Sequence, residues 1–250
     1  MSASSCRIVS CMAAFYLLGS IALAGGRSDF AQGGPNPDDL YRQRENMEVA
    51  RQAADIWAAR AAASQDFEPA WKLARACYWI GTHDTESLRR PALERGVAAG
   101  EQAAKLKPDA PEGHFWMAAN MGALAESFGL GQGIKYRGRI RDALQRVLAI
   151  DQGWQQGSAD RALGWWYHMV PGLFGGSEKK AEEHLRRALT YNPQSTATLY
   201  FLAEVLLEDG RKPEARTMFQ QVLDVTVHPD WEPEDRDFKQ KAAAKLKTLK

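Results

Sequence analysis

The sequence predicts an all-α protein built from stacked helix pairs. Three observations carry that expectation. Apolar residues recur at helical spacing along almost the whole chain, no run alternates at period two, and the breaks hold helix start and stop residues. The composition agrees: 250 residues at 45% hydrophobic and 25% charged read as a folded chain, which argues against disorder, collagen or a multi-span membrane protein. The 32 basic and 31 acidic residues leave no surplus to neutralise phosphates, so nucleic acid is not an expected partner.

The first segment reads as a leader. Arg7 is followed by Ile8–Ala24, 17 residues without a charge, closing on Ala22-Leu23-Ala24 before Gly25-Gly26. A basic start, an apolar stretch and an A-x-A exit predict a signal peptide over 1–24, cleaved after Ala24, and hence a periplasmic or secreted chain with no membrane span once it is removed; the alternative is an uncleaved anchor. Removing the leader takes Cys6 and Cys11 with it. Cys77 is then the last cysteine, no intrachain disulfide can form, and its apolar helical setting predicts a buried small side chain. Residues 25–37 are rich in Gly and Pro and read as a flexible leader to the helical-repeat domain, 38–250.

Helices are expected over 38–63, 68–82, 86–106, 110–127, 134–150, 158–170, 178–191, 195–209, 212–226 and 233–249. Asp109-Ala110-Pro111-Glu112 reads as an acidic cap. Asn192-Pro193 ends a helix and Ser195 can cap the next. Gly210 stops another, and Pro213 suits a first turn. The short breaks imply antiparallel neighbours.

Internal repeats follow from fixed offsets. Leu199, Leu202-Ala203, Leu206, Gly210, Ala215, Phe219 and Val222 match the tetratricopeptide pattern, in which small residues sit where two helices touch. Leu163-Gly164-x2-Tyr167 opens a preceding unit that Ala181, Leu185 and Ala188 close. Weaker units start at Leu73-Ala74 and Met117-Ala118. The expected architecture is therefore tetratricopeptide-like: about four lengthened helix pairs, at 67–108, 111–152, 157–193 and 196–227, with capping helices at both ends. The last, 233–249, buries Phe238, Ala242, Leu246 and Leu249.

Catalytic motifs are missing: there is no H-E-x-x-H, G-x-S-x-G, C-x-x-C or nucleotide loop, so neither an enzyme nor a cofactor or metal site is expected. Gly129–Gly133 and Gly172–Ser177 read as helix connections. His184 reads as solvated, and His168 as a half-buried histidine with one hydrogen bond. What remains is a surface. In this architecture the first helix of each pair lines the concave face, at motif positions that fall on Trp71, Arg75, Tyr78, Phe115, Ala119, Arg161, Trp165, His168, Tyr200 and Glu204. Aromatic rings with a few charges suit a ligand or peptide groove, and they equally suit a core; unpaired charges such as Arg161 and Glu204 favour the groove.

Pro111-Glu112-Gly113-His114-Phe115-Trp116, the long helix pair after it, and Pro171-Gly172-Leu173-Phe174-Gly175-Gly176-Ser177 resemble the T component of bacterial TRAP transporters, over residues 66–227. That resemblance implies a periplasmic repeat protein that associates with a solute-binding subunit and can oligomerise. The family's lipoprotein cysteine has no counterpart at the leader exit here. A weaker similarity is to the regulator of microtubule dynamics repeat proteins, whose cellular role the bacterial-style leader argues against. The expected function is a non-enzymatic adaptor whose concave face, or whose Pro171, Gly172, Phe174, Gly175 and Gly176 loop, docks a protein. The alternatives are a pocket for a small apolar molecule or lipid, or a general envelope scaffold. A chain so nearly neutral is expected to have no electrostatic attraction to an anionic membrane.

Overall fold

A computed structural model describes residues 34–249. The expected leader, its cleavage site and most of 25–37 lie outside those residues. Among them the secondary structure is helical throughout: α1 (Pro37–Arg42), α2 (Met47–Ser64), α3 (Phe67–His83), α4 (Glu86–Leu106), α5 (Pro111–Ser127), α6 (Leu130–Ile150), α7 (Trp154–Met169), α8 (Glu178–Tyr191), α9 (Thr196–Glu208), α10 (Lys212–Asp224) and α11 (Glu232–Thr248). Short 3-10 turns lie at Gly172–Phe174 and Pro229–Trp231. No described helix is long and apolar enough to cross a membrane.

Consecutive helices pack as antiparallel neighbours, α3 on α4, α5 on α6, α7 on α8 and α9 on α10. The first helices also touch in sequence, α3 with α5, α5 with α7, α7 with α9 and α9 with α11. This is the all-α, tetratricopeptide-like stack that the offsets predict, and one apolar core runs through it from Ala50 to Ala242. The motif's small residues explain the close approaches. A Cβ on Gly164 would stand 2.6 Å from Leu185 Cγ, so only glycine lets α7 and α8 meet there. Cys77 is buried, and burial pushes its thiol up to about 12, which suits an inert packing residue.

Several ends form as the sequence implies. Ser195 accepts from Thr198 N–H and caps α9. Gly210, at φ 77°, closes that helix, with Arg211 N–H reaching back to Leu206 O at 2.8 Å. Others differ. The single helix expected over 38–63 is broken by a turn, and Asn46 starts α2 by accepting from the N–H groups of Glu48 and Val49. Asp109 caps nothing; the cap residue of α5 is Ala110, and Asp109 Oδ1 instead takes Arg146 Nη2 at 2.5 Å. In α7, Gln155, Gln156 and Gly157 are left-handed, so regular helix starts at Ser158. Such backbone is unfavourable for glutamine by about 1–2 kcal/mol per residue, and the segment is held by Asn192 Nδ2 donating to Gln156 Oε1 and by Trp154 packing on Phe115.

The two ends of the described chain meet. Arg44, buried in the turn after α1, donates to Glu234 Oε1 at 3.1 Å and to Asp230 O at 3.1 Å. Its carbonyl accepts from Trp79 Nε1 at 2.7 Å, and Arg236 pairs with Glu45 at 2.5 Å. Burial works against the Arg44 charge, but the Glu234 carboxylate more than compensates and raises its pKa. A cleft of about 400 Å³ opens at this seam, with Asp38, Tyr41, Arg75 and Trp231 in its wall.

Candidate functional site: the inner helical wall

The inner wall is made by α3, α5, α7, α9 and α11. Its centre is aromatic. Trp165 on α7 stacks on Phe201 of α9 with ring centres 4.4 Å apart, and Phe201 meets Phe238 of α11 edge-on at 5.5 Å. Such pairs contribute about 0.5–1.5 kcal/mol each beyond buried area. Trp165 Nε1 donates to Glu126 Oε1 at 2.7 Å, tying α7 to α5. Desolvation raises the Glu126 pKa above the usual carboxylate range, against the lowering effect of that hydrogen bond. Tyr200 faces Phe219 and Phe238, both at 5.5 Å, and burial followed by the Glu204 charge raises its phenol. Glu204 Oε2 holds Lys245 of α11 at 2.7 Å, while its Oε1 is buried with no hydrogen-bond partner among the described residues.

Arg161 stands one helical turn before Trp165. It belongs to no ion pair among the described residues. Burial works against its charge and lowers its pKa, and the Tyr78 hydroxyl of α3 acts weakly in the opposite sense. Tyr78 lies 5.9 Å from Trp116, and burial pushes its phenol up to about 12. A half-buried guanidinium on an aromatic wall, in no ion pair among the described residues, is an arrangement that accepts an anion or a carbonyl-rich chain segment.

The residues singled out in the sequence therefore separate. Tyr78, Arg161, Trp165, Tyr200 and Glu204 share the wall. Trp71 and Arg75 gather at the seam instead, where the Arg75 guanidinium lies 4.3 Å from the Tyr41 ring centre and 5.1 Å from that of Trp71. Phe115 is core, 4.9 Å from Trp154 and 5.1 Å from Trp116. Ala119 is half-buried against the same core. His168 bonds to Glu178 at 2.8 Å beside the wall. Pro171, Gly172, Phe174, Gly175 and Gly176 lie on the outer α7–α8 connection.

Sequence reasoning passed over Phe201, Glu126 and Tyr41. Phe201 had a signal, since it follows Tyr200 and one residue of register decides which ring faces α7. Glu126 and Tyr41 had none. His184 is a correction: it is not solvated. Its Nδ1 lies 2.7 Å from Asp160 Oδ1, and Tyr167 stacks on its ring. Asp160 is fully buried and also takes Arg187 Nε and Nη2, at 3.0 and 2.8 Å from Oδ1. Burial raises the Asp160 carboxyl, but the bonds from His184 and Arg187 hold it below its ordinary value. This cluster fastens α7 to α8 on the side away from the rings.

Stacked helix pairs with an aromatic, partly charged inner wall define a tetratricopeptide-like helical repeat protein. The chain belongs to the regulator of microtubule dynamics protein 1-3 family, whose model matches residues 37–250. The weaker of the two resemblances read from the sequence is thus the family that is shown. Solved structures share the fold. TTC0263, a thermophilic TPR protein of Thermus thermophilus, superposes with a TM-score of 0.63 at 21% identity, over 84% of this chain and 97% of that one. MamA superposes with a TM-score of 0.51 at 16% identity, over 84% and 99%. No curated protein matches the sequence.

Proposed function

We propose that the protein is a non-enzymatic adaptor whose inner wall holds a segment of a partner protein. The observation that carries this is Arg161, a half-buried cation one helical turn before Trp165 that belongs to no ion pair among the described residues, and whose charge burial disfavours. A partner that brings a carboxylate or a row of carbonyls relieves that cost, while Tyr78 and Trp165 provide apolar contact. Export by residues 1–24 is part of the same reading and rests on the leader's charge and apolar pattern. A solute-binding protein of a TRAP-type uptake system is the partner implied by the α7–α8 loop. Gly176 in that loop has a packing reason of its own, so this narrower reading rests on the leader as well as on the loop. Affinity capture with wild type and with Arg161→Ala/Trp165→Ala tests the proposal. The expected result is a partner recovered by wild type and lost by the variant; equal recovery by both overturns it.

A second reading has its own support in the aromatic run Trp165, Phe201 and Phe238, which offers an apolar surface beside the same cation. An apolar small molecule or lipid with an anionic head would use both. Native mass spectrometry separates the readings: an extra bound mass favours the small ligand, and a clean chain mass favours the protein segment.

A further inference from the structure

The connection between α7 and α8 holds apolar side chains in water on a turn that cannot fold them away. Leu173 is 90% exposed, Met169 49% and Phe174 41%. The turn is fixed by Phe174 N–H to Pro171 O at 2.8 Å, Gly175 N–H to Gly172 O at 3.0 Å and Ser177 N–H to Tyr167 O at 2.9 Å. A Cβ on Gly176 would sit 1.5 Å from Val170 O, so the backbone there is pressed against the end of α7. Ile134 on α6, three positions before Arg137, is 56% exposed. That element is in contact with the turn: the Arg137 guanidinium lies 5.1 Å from the Phe174 ring centre, and Arg137 O accepts from Trp166 Nε1 at 3.1 Å. One exposed leucine is ordinary; a rigid cluster on two elements marks a contact surface.

The α6 side of this tip is basic. Residues 131–141 contain Lys135, Arg137, Arg139 and Arg141 and no acid. Arg139 and Arg141 are paired with Glu101 and Asp142, but Lys135 and Arg137 lie over the rings of Tyr136 and Phe174. Lys179 and Lys180 follow directly after the turn; Lys179 reaches Glu183 only at 4.0 Å, Lys180 lies over the Tyr167 ring, and Glu178 is engaged by His168.

We propose that this tip docks on an anionic membrane surface. Leu173 and Phe174 enter the headgroup region, and Lys135, Arg137, Lys179 and Lys180 face its phosphates. An acidic peptide would satisfy the basic rim and leave Leu173 and Phe174 with nothing apolar to enter. A second copy would set like charges against each other.

The test uses the full chain, with amide hydrogen exchange read at 172–177, so that attachment through any other segment does not mimic the result. Vesicles of phosphatidylcholine alone are compared with vesicles carrying about 30% phosphatidylserine. The expected result is exchange slowed about fivefold at 172–177 on the anionic vesicles only, reversed by salt. The variants Leu173→Ser/Phe174→Ser and Lys179→Glu/Lys180→Glu each remove the protection. Circular dichroism matching wild type certifies the fold of each variant. Unchanged exchange on anionic vesicles overturns the proposal, as does equal slowing on neutral ones. Slowing by a glutamate-rich peptide, or by raised protein concentration without vesicles, overturns it in favour of an acidic partner or a second copy.

Discussion

Asp160 shows how much a single buried carboxylate can do in a helical stack. It joins His184 and Arg187 across the α7–α8 contact, taking both nitrogens of the Arg187 fork. Asp160→Asn keeps the shape and removes the charge, so thermal unfolding should show a loss of about 1–3 kcal/mol. The pH dependence has a definite sign. The folded pKa lies below the unfolded one, so the stabilisation is complete above about pH 4 and is lost as pH falls through the folded value. Acid titration of wild type should therefore destabilise it more steeply than the Asn variant; parallel curves would refute the assignment. Arg161 should behave the other way. Arg161→Leu removes an unpaired desolvated cation and is expected to leave the urea midpoint unchanged or raised, while partner capture falls. A large loss of stability would mean that Arg161 serves the fold. His184 was illegible in sequence because its partner is 24 positions earlier, on the facing helix. Arg161 was legible because a fixed repeat offset puts it on the inner wall.

At the scale of the element, the α7–α8 turn separates packing glycines from open ones. Gly176→Ala collides with Val170 O and should cost about 1–3 kcal/mol, whereas Gly172→Ala meets open space and should be close to neutral by chemical denaturation. The same contrast explains what the sequence could report. Helix pairs were readable because Leu, Gly and Ala recur at offsets that only two touching helices require. The break at Asn46 was not, because asparagine sits in a helix at little penalty and its capping role shows only once the chain turns. Asp109 looked like a cap by spacing, yet Arg146, 37 residues on, competes for its carboxylate. Neutral total charge hid the basic stretch 131–141 in the same way: the sum over a chain says nothing about one surface of it.

For the whole molecule the seam is decisive. Arg44 and Glu234 are 190 residues apart in sequence, and no repeat offset connects them. Glu234→Ala leaves a buried guanidinium without its carboxylate and should cost about 3–5 kcal/mol at the seam. Amide exchange should accelerate in 37–46 and 228–236 while α5 and α7 keep their protection; uniform acceleration would show that the ends are integral to one cooperative unit.

That seam also sets an order of events. Every other major contact joins neighbouring helices, so each can form as soon as its two partners exist. Bringing free ends together across about 190 disordered residues would cost about 4–5 kcal/mol of loop entropy. Once the intervening helices have stacked, they hold the ends at the required separation and nearly all of that entropy has already been lost. Closure is then the last step of folding and opening the first step of unfolding, and a chain shortened at either end would keep its stack but lose its clasp.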